Sequence, residues 1–353
     1  MFTNIKYHSK QSVDNSEYKF DIKLIESASK NIAEVIIHTS LDYSERLSNL
    51  YNARIYLKRE DLQSTRSYKI RGAYNLISNL NQAQKALGIV TASAGNHAQG
   101  VALSAKKLRI KATIFMPITT QPQKVNRVKY LGGDYITIKL VGNNFDECHE
   151  QAKQYCQETG SVFVPPFDND LIIAGQGTVG REIYEDLRGN IDIVICPVGG
   201  GGLIAGVSSY FDQKNTNTEV IGVEPEGSAA MKQSLLNNKI VTLDNIDTFV
   251  DGAAVKRVGV KTFNIVSRLV KQIIIVPVGK ICSEMINLYQ EDGIITEPAG
   301  ALSVACLDSV ANTIKNKTVV CIISGGNNDL MRYPEIIEKS LAYEKLKSSF
   351  TLN

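Results

Sequence analysis

Tryptophan is absent from this chain of 353 residues, and only four histidines occur, His8, His38, His97 and His149. They are scattered along the sequence and form no cluster of the kind that binds zinc, so no metal site is expected. The six cysteines (Cys148, Cys156, Cys196, Cys282, Cys306 and Cys321) include no Cys-x-x-Cys pair. Cys196, Cys306 and Cys321 sit in apolar runs, where cysteine behaves as a small hydrophobe. We expect free thiols in a reducing cytoplasm rather than a disulfide framework. Long hydrophobic runs are missing too. Stretches such as Ile273–Pro277 and Val319–Ile323 fall far short of the ~20 residues of a membrane span. The first twenty residues are polar, with no apolar segment of a signal peptide. Neither sign of charge dominates: 39 Lys and Arg stand against 36 Asp and Glu, interspersed, for a net charge of +3. That excludes the basic footprint of a nucleic-acid binder.

What is present is an ordinary globular composition, 43% hydrophobic and 21% charged. The length suffices for two sizeable cores. From about residue 54, short β-branched runs alternate with amphipathic stretches. The strand candidates are Arg54–Lys58, Ile89–Ala92, Ala112–Met116, Tyr135–Leu140, Ser161–Val164, Asp192–Pro197, Glu219–Glu224, Ile273–Pro277 and Thr318–Ile323. Helix-period segments such as Asn96–Lys107, Gln121–Leu131 and Phe145–Glu158 lie between them. Such alternation predicts an α/β fold with open, twisted, mainly parallel sheets flanked by helices. Nine strands are many for one sheet, so two sheets are expected. Residues 88–160 form one tight run of β-α units. The segment Pro165–Gly180, rich in proline and glycine, breaks that rhythm. The last residues, Ala342–Asn353, read as a helix end or the start of a linker.

Four motifs can carry chemistry. Gly199-Gly200-Gly201-Gly202-Leu203 follows an apolar strand and opens a helical pattern. Its bare backbone can present several N–H groups to a phosphate at a helix N-terminus. Gly200-x-Gly202-x-x-Ala205 also fits a dinucleotide fingerprint, with Glu224 at the end of the next strand. Ser67-Tyr68-Lys69-Ile70-Arg71-Gly72 places a lysine beside an aromatic at the start of a probable helix. A lysine kept from bulk water can lose its proton and react with an aldehyde. Ser93-Ala94-Gly95-Asn96-His97 joins a strand to a helix, with Ser93 or Asn96 as the expected N-cap. Its free N–H groups suit a carboxylate. Ser324-Gly325-Gly326-Asn327 lies at another strand C-terminus, where a hydroxyl can meet a ring nitrogen.

Together these motifs resemble the fold-type II pyridoxal-phosphate enzymes, the tryptophan-synthase-β-like family, and within it the threonine dehydratases. The likeness runs from about Ile25 to Glu344. It is carried further by Tyr56-Leu57-Lys58-Arg59-Glu60-Asp61-Leu62-Gln63, by Ala92 to Ala102, by Ile173-Ala174-Gly175-Gln176-Gly177-Thr178 and by Glu297-Pro298-Ala299-Gly300-Ala301. The resemblance implies pyridoxal 5′-phosphate as cofactor, joined to Lys69, which then acts as the base at the substrate's α-carbon. It implies that Gly199, Gly200, Gly201, Gly202 and Leu203 hold the phosphate. Asn96 would bond the phenolic oxygen, Ser324 would meet the pyridine nitrogen, Tyr68 would pack on the ring and Glu297 would lie near it. Ser93, Ala94, Gly95, Asn96 and His97 would grip the amino-acid carboxylate, with Gly252 and Ala253 lining the substrate side. A large cofactor-binding domain would take residues 1–72 and 161–341, a small substrate-gripping domain 73–160. Residues 342–353 would form a tail, of the kind that leads into a regulatory domain in long members. A cytoplasmic homodimer or homotetramer is expected, with no membrane or nucleic-acid partner.

Three positions discriminate within that family. Tyr68 stands where phenylalanine is usual. Ala94 stands where serine racemases carry a second catalytic serine. Ala230 stands where racemase-like members carry a metal-binding aspartate. The expected reaction is therefore conversion of L-threonine to 2-oxobutanoate and ammonia, with slower action on L-serine. The rivals are a serine dehydratase or racemase of the same fold, a nicotinamide-dependent oxidoreductase and a non-catalytic ligand-binding relative.

Overall fold

The computed structural model describes residues 20–214 and 216–351. His8, residues 1–19 of the expected large domain and residues 352–353 of the expected tail lie outside the described residues. All nine expected strands form, within a residue or two of the expected ends, together with a short one at the edge. They are β1 Leu41–Tyr43, β2 Arg54–Arg59, β3 Ile89–Ala92, β4 Ala112–Met116, β5 Ile136–Leu140, β6 Val162–Phe163, β7 Ile193–Pro197, β8 Glu219–Pro225, β9 Gln272–Val276 and β10 Thr318–Ile323. β1 spans three residues, too few for a periodic pattern to show.

The strands divide between two sheets. One has the order β1-β2-β10-β7-β8-β9, parallel throughout except for β1 against β2. The other has the order β5-β4-β3-β6, all parallel. The apolar runs follow from burial on both faces of a parallel sheet. In β7, Ile193 and Ile195 pack beneath the sheet with Leu57, Ile221 and Cys321, while Val194 and Cys196 pack above it with Val220, Val320 and Ile322.

Two sequence expectations need correction. The boundary drawn at residue 160 falls one strand early, because β6 pairs with β3 through Ile89–Val162 and Val90–Phe163 and so completes the smaller sheet. A two-residue strand gives no sign in the sequence of which edge it will join. The segment Pro165–Gly180 is also not simply a break, since a 17-residue helix runs over Asp170–Asp186. Its glycines look like loop residues but serve close packing. A Cβ on Gly175 would sit 2.6 Å from the Gly72 Cα, and one on Gly206 would sit 2.5 Å from the Gly177 backbone nitrogen. At the other end of the chain, residues 342–351 continue the helix Tyr333–Thr351 without a break.

The C-terminal ends of β3, β7 and β10 carry the three loops that the sequence marks, and strand C-termini face the ligand crevice in open parallel sheets. The helix Lys69–Ser78 begins at the marked lysine itself.

Candidate active site

The loop after β7 bends straight into the helix Gly202–Gln213, whose N-cap is Gly201 at φ 93°, ψ 0°, with no side chain capping the helix. An L-residue disfavours that left-handed backbone, and the uncapped N–H groups stay available to an anion. The loop is also too tight for side chains. A Cβ on Gly200 would lie 2.1 Å from the Phe167 ring, and one on Gly199 would lie 3.1 Å from the Ala253 Cα. The Thr262 hydroxyl fixes the turn by donating to the Gly200 carbonyl at 2.6 Å. Leu203 turns its side chain into the core and brings only backbone to the loop.

Lys69 meets this loop through the segment after β6. Its Nζ donates to the Pro166 carbonyl at 2.9 Å, and the next residue, Phe167, is the one that packs against Gly200 and Gly202. Neither Pro166 nor Phe167 was singled out by the sequence. The paired prolines only mark a break in the β-α rhythm, and nothing local shows that a carbonyl there will face a lysine 97 residues away. Burial pushes the Lys69 amine down to about 8, with the Glu297 carboxylate opposing the shift. The Tyr68 ring lies 5.3 Å from that nitrogen, and burial raises its phenol above the ordinary tyrosine range.

The loop after β10 is held to the lysine segment by backbone. Tyr68 N–H donates to the Ser324 carbonyl at 3.2 Å, and Ser67 bridges to Gly325. Ser324 is buried at the strand end, and its hydroxyl donates to the Ala299 carbonyl at 3.1 Å, which leaves its lone pairs to accept.

The loop after β3 closes the other side. Asn96 Nδ2 donates to Glu297 Oε1 at 2.6 Å, and Asn96 Oδ1 accepts from Asn327 at 2.8 Å. Asn327 thus joins the site as a residue the sequence placed only inside a Gly-rich turn. The helix Asn96–Leu108 starts after Gly95, not Ser93 or Asn96, and no side chain caps it. Ser93 instead accepts from Gly95 N–H at 3.2 Å. A Cβ on Gly95 would meet nothing within 4 Å, so open space lies before this uncapped end. Ala94 packs beside the apolar cluster of Ala98 and Ile114. His97 is buried, its Nε2 is 3.0 Å from the Val164 carbonyl, and burial, then the Lys69 charge, pushes its imidazole down to about 3. It is a neutral packing group at neutral pH.

Glu297 binds these parts together. It is buried, and burial, then the Asp251 charge, raises its carboxyl to about 7 against the opposing bond from Asn96. A Cβ on Gly252 would lie 3.2 Å from its Oε1, and one on Gly325 would lie 2.6 Å from the same atom. Asn96, Glu297 and Gly252 are thus in contact, Tyr68 ties the lysine turn to Ser324, and the glycine turn joins Lys69 through Pro166 and Phe167. Glu224 stands outside these contacts. Its carboxylate accepts from Met231 and Lys232 N–H, both at 2.8 Å, and burial raises it to about 8.

A buried amine that is half neutral near pH 8, a tight glycine turn at one uncapped helix end and a second uncapped helix end suit a ligand with a carbonyl for the amine and anionic groups for the helix ends. The comparisons with known proteins agree. The family described as "Pyridoxal-phosphate dependent enzyme" matches residues 32–325. This chain belongs to that family, with the fold-type II architecture and pyridoxal phosphate as its cofactor.

Among its relatives, the biosynthetic L-threonine dehydratase of Halalkalibacterium halodurans is 48% identical over 334 residues, which cover 95% of this chain and 80% of that one. The processed form of threonine deaminase isoform 2 from Solanum lycopersicum superposes with a TM-score of 0.86 at 39% identity, over 95% of this chain and 91% of that one. Maize serine racemase superposes with a TM-score of 0.83 at 32% identity, over 93% and 100%.

Proposed function

We propose that this chain is a pyridoxal-phosphate-dependent L-threonine ammonia-lyase that forms 2-oxobutanoate and ammonia and acts more slowly on L-serine. The observation that carries this reading is the Lys69 amine, lowered to about 8 and seated beside the glycine turn. The likeness to threonine dehydratases at 48% identity supports the substrate.

When bound, the cofactor withdraws electrons from the substrate's α-carbon. The chain's own groups do the rest. N–H groups of Gly199, Gly200, Gly201, Gly202 and Leu203 would hold the phosphate. Asn96 would meet the phenolic oxygen, and the Ser324 hydroxyl would meet the ring nitrogen as a neutral partner that restrains electron withdrawal. Tyr68 would pack on the ring, with Glu297 near it. Ser93, Ala94, Gly95, Asn96 and His97 present the helix end to the substrate carboxylate, with Gly252 and Ala253 opposite. Lys69 takes the proton at Cα, a role that suits an amine whose pKa lies close to working pH. Loss of the β-hydroxyl as water, then hydrolysis, completes the reaction.

In this reading the small sheet unit, about 73–160 with β6 added, grips the substrate, and 1–72 and 161–341 hold the cofactor. The exposed Tyr289, Leu330, Met331, Leu341 and Leu346 offer apolar surface for a homodimer or homotetramer. The six cysteines, all free thiols, suit the cytoplasm.

Serine racemisation is the second reading, favoured by the maize enzyme's similarity. It needs a proton donor on the cofactor face away from Lys69, and Ala94 has none to give. The test is a visible absorption scan of the purified protein, followed by assay with L-threonine. A cofactor band with release of 2-oxobutanoate is expected. A protein that takes up no pyridoxal phosphate, or takes it up and leaves L-threonine untouched, overturns the reading.

A further inference from the structure

Directly behind Lys69 lies a group of charges that the chemistry above does not use. Arg71, two residues on in the same helical turn, is wholly buried, as are Lys58 and Glu60. Arginine carries five N–H donors, and here all five are used. Nε and Nη2 donate to the two oxygens of Glu60 at 2.8 and 2.7 Å. Nη1 and Nη2 donate to the two oxygens of Glu182 at 2.6 and 2.8 Å. The last N–H of Nη1 donates to the Thr178 hydroxyl at 3.0 Å. Lys58 balances the second carboxylate, with Nζ 2.7 Å from Glu182 Oε2 and 2.8 Å from the Thr39 carbonyl. Two buried cations thus face two buried carboxylates, and Lys58 also pairs with the partly exposed Asp186 at 3.5 Å.

A buried ion group of this kind is a poor source of stability, because desolvation offsets the attraction. What it does supply is direction. Two bidentate forks at one guanidinium define both its position and its plane. The forks reach three separate parts of the chain. Glu60 follows β2, Thr178 and Glu182 lie along the helix Asp170–Asp186, and Arg71 lies in the first turn of the helix that Lys69 opens. That turn is pressed onto the helix Asp170–Asp186 with no room to slide. A Cβ on Gly72 would lie 2.5 Å from Gln176 Nε2, and one on Gly175 would lie 2.6 Å from the Arg71 carbonyl oxygen. Tyr68 and Arg71 are joined by an Arg71 N–H to Tyr68 carbonyl bond at 3.0 Å, so the fork and the lysine share one rigid turn.

We propose that Arg71 is a positioning residue for Lys69: its doubly forked bonds to Glu60 and Glu182 set where the ε-amine stands relative to the cofactor and the substrate's α-carbon. The inference rests on Lys69 being the cofactor lysine. Lysine in place of Arg71 keeps the charge and loses both forks. Misplacement of a catalytic group by about 1 Å costs on the order of 100-fold in rate.

The test compares the holoenzyme with Arg71→Lys and Thr178→Val, reading kcat and KM for L-threonine, pyridoxal-phosphate affinity and the visible circular dichroism per bound cofactor. Borohydride reduction and peptide mapping of the unaltered protein come first. A label away from Lys69 defeats the functional reading itself, whereas a label on Lys69 leaves the role of Arg71 to be decided by the variants. For Arg71→Lys, kcat falls roughly 10- to 100-fold, KM stays within about threefold and the visible dichroism weakens. Thr178→Val, which removes one bond and no charge, moves the same quantities in the same direction by a smaller factor. Glu284→Gln disturbs a different buried pair, Lys280–Glu284 at 2.7 Å. It lowers the melting temperature and leaves kcat and dichroism alone. If Arg71→Lys melts early yet turns over at the unaltered rate per bound cofactor, the group is structural and the proposal fails. If Arg71→Lys does not fold, Thr178→Val decides: unchanged kcat and dichroism there overturn it.

Discussion

Gly201→Asp tests the glycine turn most directly. At φ 93° the backbone of residue 201 is left-handed, and an L-residue there costs about 1–2 kcal/mol. Its Cβ would lie 2.7 Å from the Met231 methyl and 2.9 Å from the Thr262 Cβ. The methyl can swing aside. Thr262 cannot do so cheaply, because its hydroxyl is committed to the Gly200 carbonyl at 2.6 Å. Overpacking of a core in this way costs about 1–3 kcal/mol. Together the two effects come to roughly 2–5 kcal/mol, below the ~5–15 kcal/mol that holds a typical domain together. The fold survives and the turn yields. If that cost falls on the cofactor-bound conformation, affinity drops by roughly 30- to 4000-fold at ~1.4 kcal/mol per factor of ten. The aspartate adds repulsion of a dianionic phosphate. Titration of apoprotein with pyridoxal phosphate, followed by absorbance, reads the loss, and far-ultraviolet dichroism checks the fold. Gly201→Ala separates strain from charge and keeps most of the loss. Affinity within about threefold of the unaltered protein, in a folded Gly201→Asp variant, would refute the assignment of the turn.

Three further outcomes follow from the site. Lys69→Ala abolishes turnover, and the pyridoxyl label found on Lys69 after borohydride reduction disappears; a label on Lys58 in the unaltered protein contradicts the assignment. Burial disfavours the Lys69 ammonium, so the amine is neutral above about 8 rather than above 10.5. The rate of cofactor attachment to apoprotein therefore climbs through pH 8, and a rate flat from pH 7 to 9 speaks against a buried, depressed lysine. Between those two values the unfolded chain holds more protons than the folded one, so this group makes apoprotein stability rise with pH there. Incubation with L-serine yields pyruvate without accumulation of D-serine, because Ala94 offers no proton on the second face; D-serine formed as fast as pyruvate, by chiral chromatography, would overturn that reasoning.

What the sequence by itself determined is the chemistry that sits within one turn of chain. Gly199 to Gly202, the Lys69 turn and the loops at Ser93 and Ser324 each need only adjacent residues, and the strands beneath them announce themselves as apolar β-branched runs. The tertiary structure alone decided how those pieces meet. The helix Asp170–Asp186 hid behind its glycines, because a glycine that allows close helix packing reads the same as one that opens a loop. β6 gave no sign of its sheet, since two residues carry no register. Asn327 and the Pro166 carbonyl enter the site across 231 and 97 residues. Arg71 could be seen only as a charge next to the lysine. Its five bonds join residues 11 to 111 positions apart, and a pairing across that distance depends on which helix the fold lays against which. No local pattern in the chain records that choice.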